Sequence, residues 1–130
     1  MRLVRYLADG EVYLGVKSGD EIISLSDPNR GIPNDMLELI SSWGVLQGSV
    51  SDAIQGGASK VPMSEVSLLA PLQNPGKFLA IGMNYQKHRA EAVDAGITPP
   101  RNQMWFSKQT SCINDPFGVI LNPDSTMMLD

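Results

Sequence analysis

Short apolar runs punctuated by glycine turns constrain the start of this chain more than any other feature. Leu3 to Leu7, Val12 to Val16 and Ile22 to Leu25 are each of strand length. Asp9-Gly10 separates the first pair, and Ser18-Gly19-Asp20 separates the second. Such turns supply the left-handed positions that tight hairpins need, so the spacing predicts antiparallel neighbours. Asp27-Pro28-Asn29 breaks the pattern. Met36, Leu39, Ile40 and Trp43 then fall at i, i+3, i+4 and i+7, one face of a helix. Gly44 is its expected stop. A Met and Trp stripe at this spacing is a core face rather than a ligand contact. A second short helix is expected over Val50 to Gln55, closed by Gly56-Gly57. The opening region reads as a small sheet with one or two covering helices.

Further along, Gly57 to Pro62 reads as a linker. Val66 to Leu72 is apolar, but Pro71 limits its use as a central strand. The expected boundary lies here, with a small domain over 1–65 and a second region over 66–130. Lys77 to Ile81 is a short apolar run. Gly82 follows, permitting a conformation or a close approach that a side chain would hinder. Asn84 and Tyr85 have turn chemistry. A helix begins at Gln86 and runs out near Gly96, with Pro99 and Pro100 beyond. The loop AGITPPRNQ leads to a strand over Met104 to Phe106, which delivers Lys108. Asn114-Asp115-Pro116 is a turn. Val119 to Leu121 is expected as a strand, and Thr126 to Leu129 as the start of another.

Composition excludes several classes of partner. A formal net charge of −4 argues against nonspecific binding to nucleic acid or to an anionic membrane. No apolar run approaches the length of a membrane span. The segment MRLVRYLADGE lacks the apolar stretch of a signal peptide, so cytoplasm is the expected compartment. One cysteine, Cys112, leaves no internal disulfide and is expected to be a small buried hydrophobe. Walker, dinucleotide-binding, zinc and G-x-S-x-G patterns are absent from the sequence. The single histidine rules out a histidine-rich metal site within these 130 residues.

That histidine, His88, stands three residues before Glu91, so on a helix the two share a face. Taken alone, such a pair is a solvated surface contact worth a few tenths of a kcal/mol, roughly. Its surroundings add more. The run Gly82-x-Asn84-Tyr85-x-x-His88-x-x-Glu91 lies between LLAPLQNPGKFLAI and MWFSKQTS. Together these resemble the entry motif of the fumarylacetoacetate hydrolase family, over about Val66 to Asp130. Residues 1–65 look like the small amino-terminal domain that some members carry. The implied fold is α+β, a small sheet with covering helices followed by the start of the β-rich catalytic domain.

The resemblance implies a metal-dependent enzyme acting on a 2-oxo acid or 1,3-diketone through an enolate. Hydrolysis, decarboxylation and isomerisation all occur in the family, and the shared motif does not separate them. His88 and Glu91 become the catalytic dyad, in which an imidazole moves protons and a carboxylate orients it. Lys108, with Tyr85 and Gln109, is assigned to substrate, and Gly82 and Asn84 to shaping the turn. The implied ion is Mg2+ or Mn2+. In the family, the position of Asp130 is followed by an aromatic residue and a Glu-x-Glu pair that, with a later aspartate, holds the ion, so its ligands are expected beyond residue 130. A homodimer and a lid-like helix around His88 are also implied. Some details depart from the pattern. Gln109 stands where many relatives have proline. Met83 brings a thioether to the turn, leaving Arg89 or Arg101 to grip a carboxylate. The alternative is a non-catalytic fragment serving only folding or assembly.

Overall fold

The computed structural model describes residues 1–125. They form two compact units. The first comprises Met1–Gln73 and a later segment beginning at Asn114; the second is Asn74–Ile113.

The opening hairpins form as expected. Strands β1 (Leu3–Ala8), β2 (Glu11–Ser18) and β3 (Glu21–Ser24) are antiparallel, with Tyr6 opposite Tyr13 and Val16 opposite Ile23. Positive φ at Asp9, Gly10 and Gly19 supplies the turn geometry. Helix α1 (Met36–Ser41) is capped by Asp35, whose side chain accepts a bond from the Glu38 amide at 2.8 Å. Met36 and Leu39 are buried, Trp43 packs partly on the core, and Ile40 of the expected stripe is exposed.

Gly44 does not stop the helix. The chain breaks earlier, at Ser42, and α2 (Trp43–Gln55) carries Gly44 in its first turn. Leu46, Val50, Ala53 and Ile54 continue the apolar stripe past it. Packing of that stripe outweighs the roughly 1 kcal/mol that a glycine costs a helix. The core lies between one sheet face, bearing Leu14, Val16 and Ile23, and the helices, through Leu39, Val50 and Ala53.

The expected linker and the apolar run expected to open the second region both join the sheet. Strand β4 (Lys60–Pro62), within the expected linker, pairs with β3, and β5 (Ser67–Leu69) pairs with β1, Leu68 opposite Tyr6. The sheet order is therefore β4-β3-β2-β1-β5. The first unit consequently runs to Gln73 rather than ending at residue 65. Ala70, just past β5, is buried and doubly held. Its carbonyl accepts from Arg5 Nη1 at 3.2 Å, and its amide donates to Asp115 Oδ1 at 2.7 Å.

Asn114-Asp115-Pro116 forms the expected turn, closed by the Gly118 amide on the Asp115 carbonyl at 2.9 Å. Val119 to Leu121 is not a strand. Its side chains are exposed, and the Val119 carbonyl accepts from the Asn114 side chain at 3.1 Å instead of a ladder. The strand expected over Thr126 to Leu129 lies outside the described residues.

In the second unit, β6 (Leu79–Gly82) and β7 (Met104–Ser107) form an antiparallel pair, and α3 (Gln86–Asp94) lies between them in sequence. Ala92 is its only buried hydrophobic residue among those described. Cys112 is exposed, not the buried hydrophobe expected, because its 3-10 turn has no core to enter. No described helix is long and apolar enough to cross a membrane.

The packing of α1 makes a discriminating prediction. Leu39→Ala should cost about 2–5 kcal/mol, whereas Ile40→Ala next to it should stay within about 0.5 kcal/mol. Urea denaturation of both variants measures this, and equal losses would place the helix in a different register.

Candidate active site

The site is assembled on β6, the turn after it, and α3. The sheet register sets Gly82 opposite Met104. A Cβ added to Gly82 would come within 2.6 Å of the Met104 thioether methyl, the far end of a flexible side chain that can shift to make room. The left-handed conformation falls one residue later, on Met83 at φ 51°. An unbranched side chain tolerates that region at a cost of about 1 kcal/mol or more. It reverses the chain, and α3 starts at Gln86, with the Arg89 amide donating to the Tyr85 carbonyl at 3.0 Å.

On α3, His88 Nδ1 lies 3.7 Å from Glu91 Oε2, one turn apart as the spacing requires. The separation exceeds a hydrogen bond and suits an ion pair once the ring is protonated. Glu91 also meets Lys87, Nζ to Oε1 at 4.0 Å, so its two oxygens are shared between two potential cations. Both members of the pair are well exposed, at 61% and 59%.

The other assigned residues separate. Lys108 continues the β6–β7 ladder, its amide donating to the Phe78 carbonyl at 2.8 Å, and its side chain is exposed. Gln109 precedes the 3-10 turn Thr110–Cys112, whose Cys112 amide donates to the Gln109 carbonyl at 3.1 Å. Tyr85 is 77% exposed. Gly82 and Asn84 do meet, in a cleft of about 160 Å3 lined also by Ile81, Met83, Arg89 and the loop Pro100–Gln103. His88, Glu91, Lys108, Tyr85 and Gln109 are not among its lining residues. The cleft's contribution from Asn102 and Gln103 was not legible as a site. The only signal was a polar, proline-stiffened loop carrying Arg101.

No group of three or more His, Cys, Asp or Glu side chains among the described residues could hold a metal ion. The residues in view therefore do not by themselves fit the divalent site that the resemblance implies.

The antiparallel sheet of the first unit and the strand, turn and helix of the second belong to a known architecture. The chain's homologues are fumarylacetoacetate hydrolase domain-containing proteins. A mitochondrial oxaloacetate tautomerase of Bos taurus is 31% identical over 134 aligned residues, covering 100% of this chain and 42% of the relative. Fumarylacetoacetate hydrolase domain-containing protein 2 of Pongo abelii is 28% identical with the same coverage. Among solved structures, maleylpyruvate hydrolase from Sphingobium sp. SYK-6, in complex with manganese(II) and pyruvate, superposes with a TM-score of 0.65 at 29% identity. That match covers 88% of this chain and 39% of the hydrolase. The chain thus spans about 42% of the length of the curated relatives it matches. No protein-family model matches it. The expected α+β class and family likeness are both borne out.

Met83 provides a test of the turn. Met83→Gly should protect the β6–β7 amides at least as well as the native residue, while Met83→Ile should loosen them by about 1 kcal/mol. Hydrogen exchange at Ala80 and Phe106 reports the difference. Identical protection in the two variants would show that the turn stores no strain.

Proposed function

We propose that this chain forms part of an enzyme that moves protons on a small 2-oxo acid or 1,3-diketone, by tautomerisation or by carbon–carbon bond hydrolysis. The observation that carries this reading is the His88–Glu91 pair. The imidazole and carboxylate stand one helical turn apart, open to solvent, just after a strained turn. Homologues named as an oxaloacetate tautomerase and a maleylpyruvate hydrolase support it, since both substrates are oxo acids.

In this mechanism neutral His88 accepts a proton through Nε2, from water or from the acidic carbon beside the carbonyl. Glu91, near Nδ1, selects the ring tautomer and stabilises the imidazolium that forms. The same imidazolium returns the proton to the enolate or to the leaving carbanion. Lys108 offers an ammonium to a carboxylate or developing oxyanion, with Tyr85 and Gln109 as further contacts. A divalent ion, Mg2+ or Mn2+, would add Lewis-acid stabilisation when bound. Manganese in the maleylpyruvate hydrolase supports that assignment. We assign its ligands to polypeptide other than the described residues, and the proton steps above use only side chains of this chain. We also propose a homodimer, and α3 as a segment that closes on ligand, consistent with its single buried side chain.

A second reading is a non-catalytic fragment that folds or assembles only. The absence of a ligand cluster among the described residues favours it. One experiment separates the two. Oxaloacetate tautomerisation and acylpyruvate cleavage are assayed with Mg2+ or Mn2+ for the polypeptide carrying this sequence. We expect turnover, and a loss of about 10²- to 10⁴-fold in kcat for His88→Ala. Glu91→Gln should fall less. Turnover indifferent to His88→Ala overturns the catalytic assignment, and no turnover in the native protein favours the fragment.

A further inference from the structure

Asp9 is the only aspartate or asparagine in the sequence that precedes glycine. With Gly10 it forms the two-residue tip of the first hairpin, between the facing Ala8 and Glu11. Both tip residues are exposed, and both have positive φ, 50° at Asp9 and 80° at Gly10. A Cβ added to Gly10 would meet nothing within 4 Å, so nothing crowds that side of the loop. The Asp9 carboxylate forms no salt bridge among the described residues. The bonds that close such a loop join the flanking residues and leave the Gly10 amide free.

Positive φ at both positions is the type I′ turn. Its counterpart, type II′, differs by a flip of the central peptide, which keeps φ positive at the first residue and takes its ψ to about −120°. At that ψ the Cβ of an L residue eclipses the next backbone nitrogen. The Asp9 carboxyl carbon then comes within bonding reach of the Gly10 nitrogen. Gly10 follows the flip freely because it accepts either sign of φ. Hairpins use both turns, so strand pairing persists through it. The flipped conformer strains Asp9 and is sparsely populated, which makes any reaction from it slow.

We propose that Asp9 is a site of slow self-modification in the folded hairpin, passing through a cyclic imide to isoaspartate. The Gly10 nitrogen attacks the carbon of the protonated Asp9 carboxyl. A C–N bond forms and a C–O bond breaks, and the departing oxygen leaves as water with the carboxyl and amide hydrogens. Water then opens the imide. Addition at the side-chain carbonyl restores aspartate. Addition at the main-chain carbonyl gives isoaspartate, with no net change in mass or oxidation state. Isoaspartate routes the backbone through Cβ and adds one main-chain carbon to the loop, so Ala8 and Glu11 no longer close as a pair. Neither β1 nor β2 is an edge of the sheet, so the loosened end belongs to its interior strands. The free α-carboxylate left at the tip is the group that an isoaspartate-directed carboxyl methyltransferase recognises. The site belongs to the first unit and is independent of the proposed activity.

The polypeptide carrying this sequence is held for weeks at neutral pH and body temperature, folded or in urea, then mapped by mass spectrometry with fragmentation that separates isoaspartate from aspartate. Isoaspartate at Asp9 is expected to exceed that at Asp20, Asp52 or Asp94 by about tenfold or more, because only Asp9 precedes glycine. The folded rate should lie within about tenfold of the rate in urea, since the reactive turn is itself a hairpin turn. Asp9→Asn keeps the fold, Asn-Gly being a favoured type I′ pair, and with ammonia as its leaving group should react about tenfold faster or more. Isoaspartate that appears at Asp9 only in urea, or no more there than at the other three aspartates, would overturn the proposal. So would an Asp9→Asn variant that reacts no faster than the native chain.

Discussion

Ala70 is the point on which the first unit closes. Both of its backbone groups are removed from water, and both are satisfied by side chains from distant parts of the chain: Arg5 on the carbonyl and Asp115 on the amide. A buried amide or carbonyl left unpaired costs about 1–3 kcal/mol, so these bonds matter most through what their loss would expose. They clamp the end of β5 against β1 and tie the segment after Asn114 to the same edge. The Arg5 guanidinium also reaches Gln73 Oε1 at 2.9 Å, where the unit ends.

The two units are stabilised differently. In the first, one face of a five-stranded sheet buries its aliphatic side chains against α1 and α2. In the second, a two-stranded ladder and a nine-residue helix enclose one buried alanine. A lone strand pair is marginal in water, and helical bonds alone do little better. Local opening in such a region is cheap. The residues proposed to carry chemistry all lie in this lightly packed unit, and none of them in the well-packed one.

Local chemistry was legible. Hairpin turns at Asp9-Gly10 and Ser18-Gly19 follow from the need for positive φ, and α3 from Gln86 onward follows from the breakers that bound it. The one-turn spacing of His88 and Glu91 is a property of any helix. Less legible were features whose partner lies far away in sequence. Val66 to Leu72 and Val119 to Leu121 are similar apolar runs, yet part of the first becomes β5 and the second is not a strand. A strand exists only with a partner, and β1 offered one edge. Cys112 is exposed for a related reason: a small apolar side chain is buried only where a core exists to receive it.

Residue order alone therefore determined the hairpins, the helix and the motif, because turn geometry and a 3.6-residue period act within a few residues. It also carried the family likeness, since that rests on an ordered set of side chains. Tertiary structure alone decided that a supposed linker and an apolar run assigned to the second region flank the first sheet, that Met83 rather than Gly82 takes the left-handed turn, and that Arg89 and Arg101 line one cleft. Each of those outcomes depends on pairing or proximity between segments separated in sequence, and the free energy of such contacts is set by what each segment finds to pack against once the chain has closed.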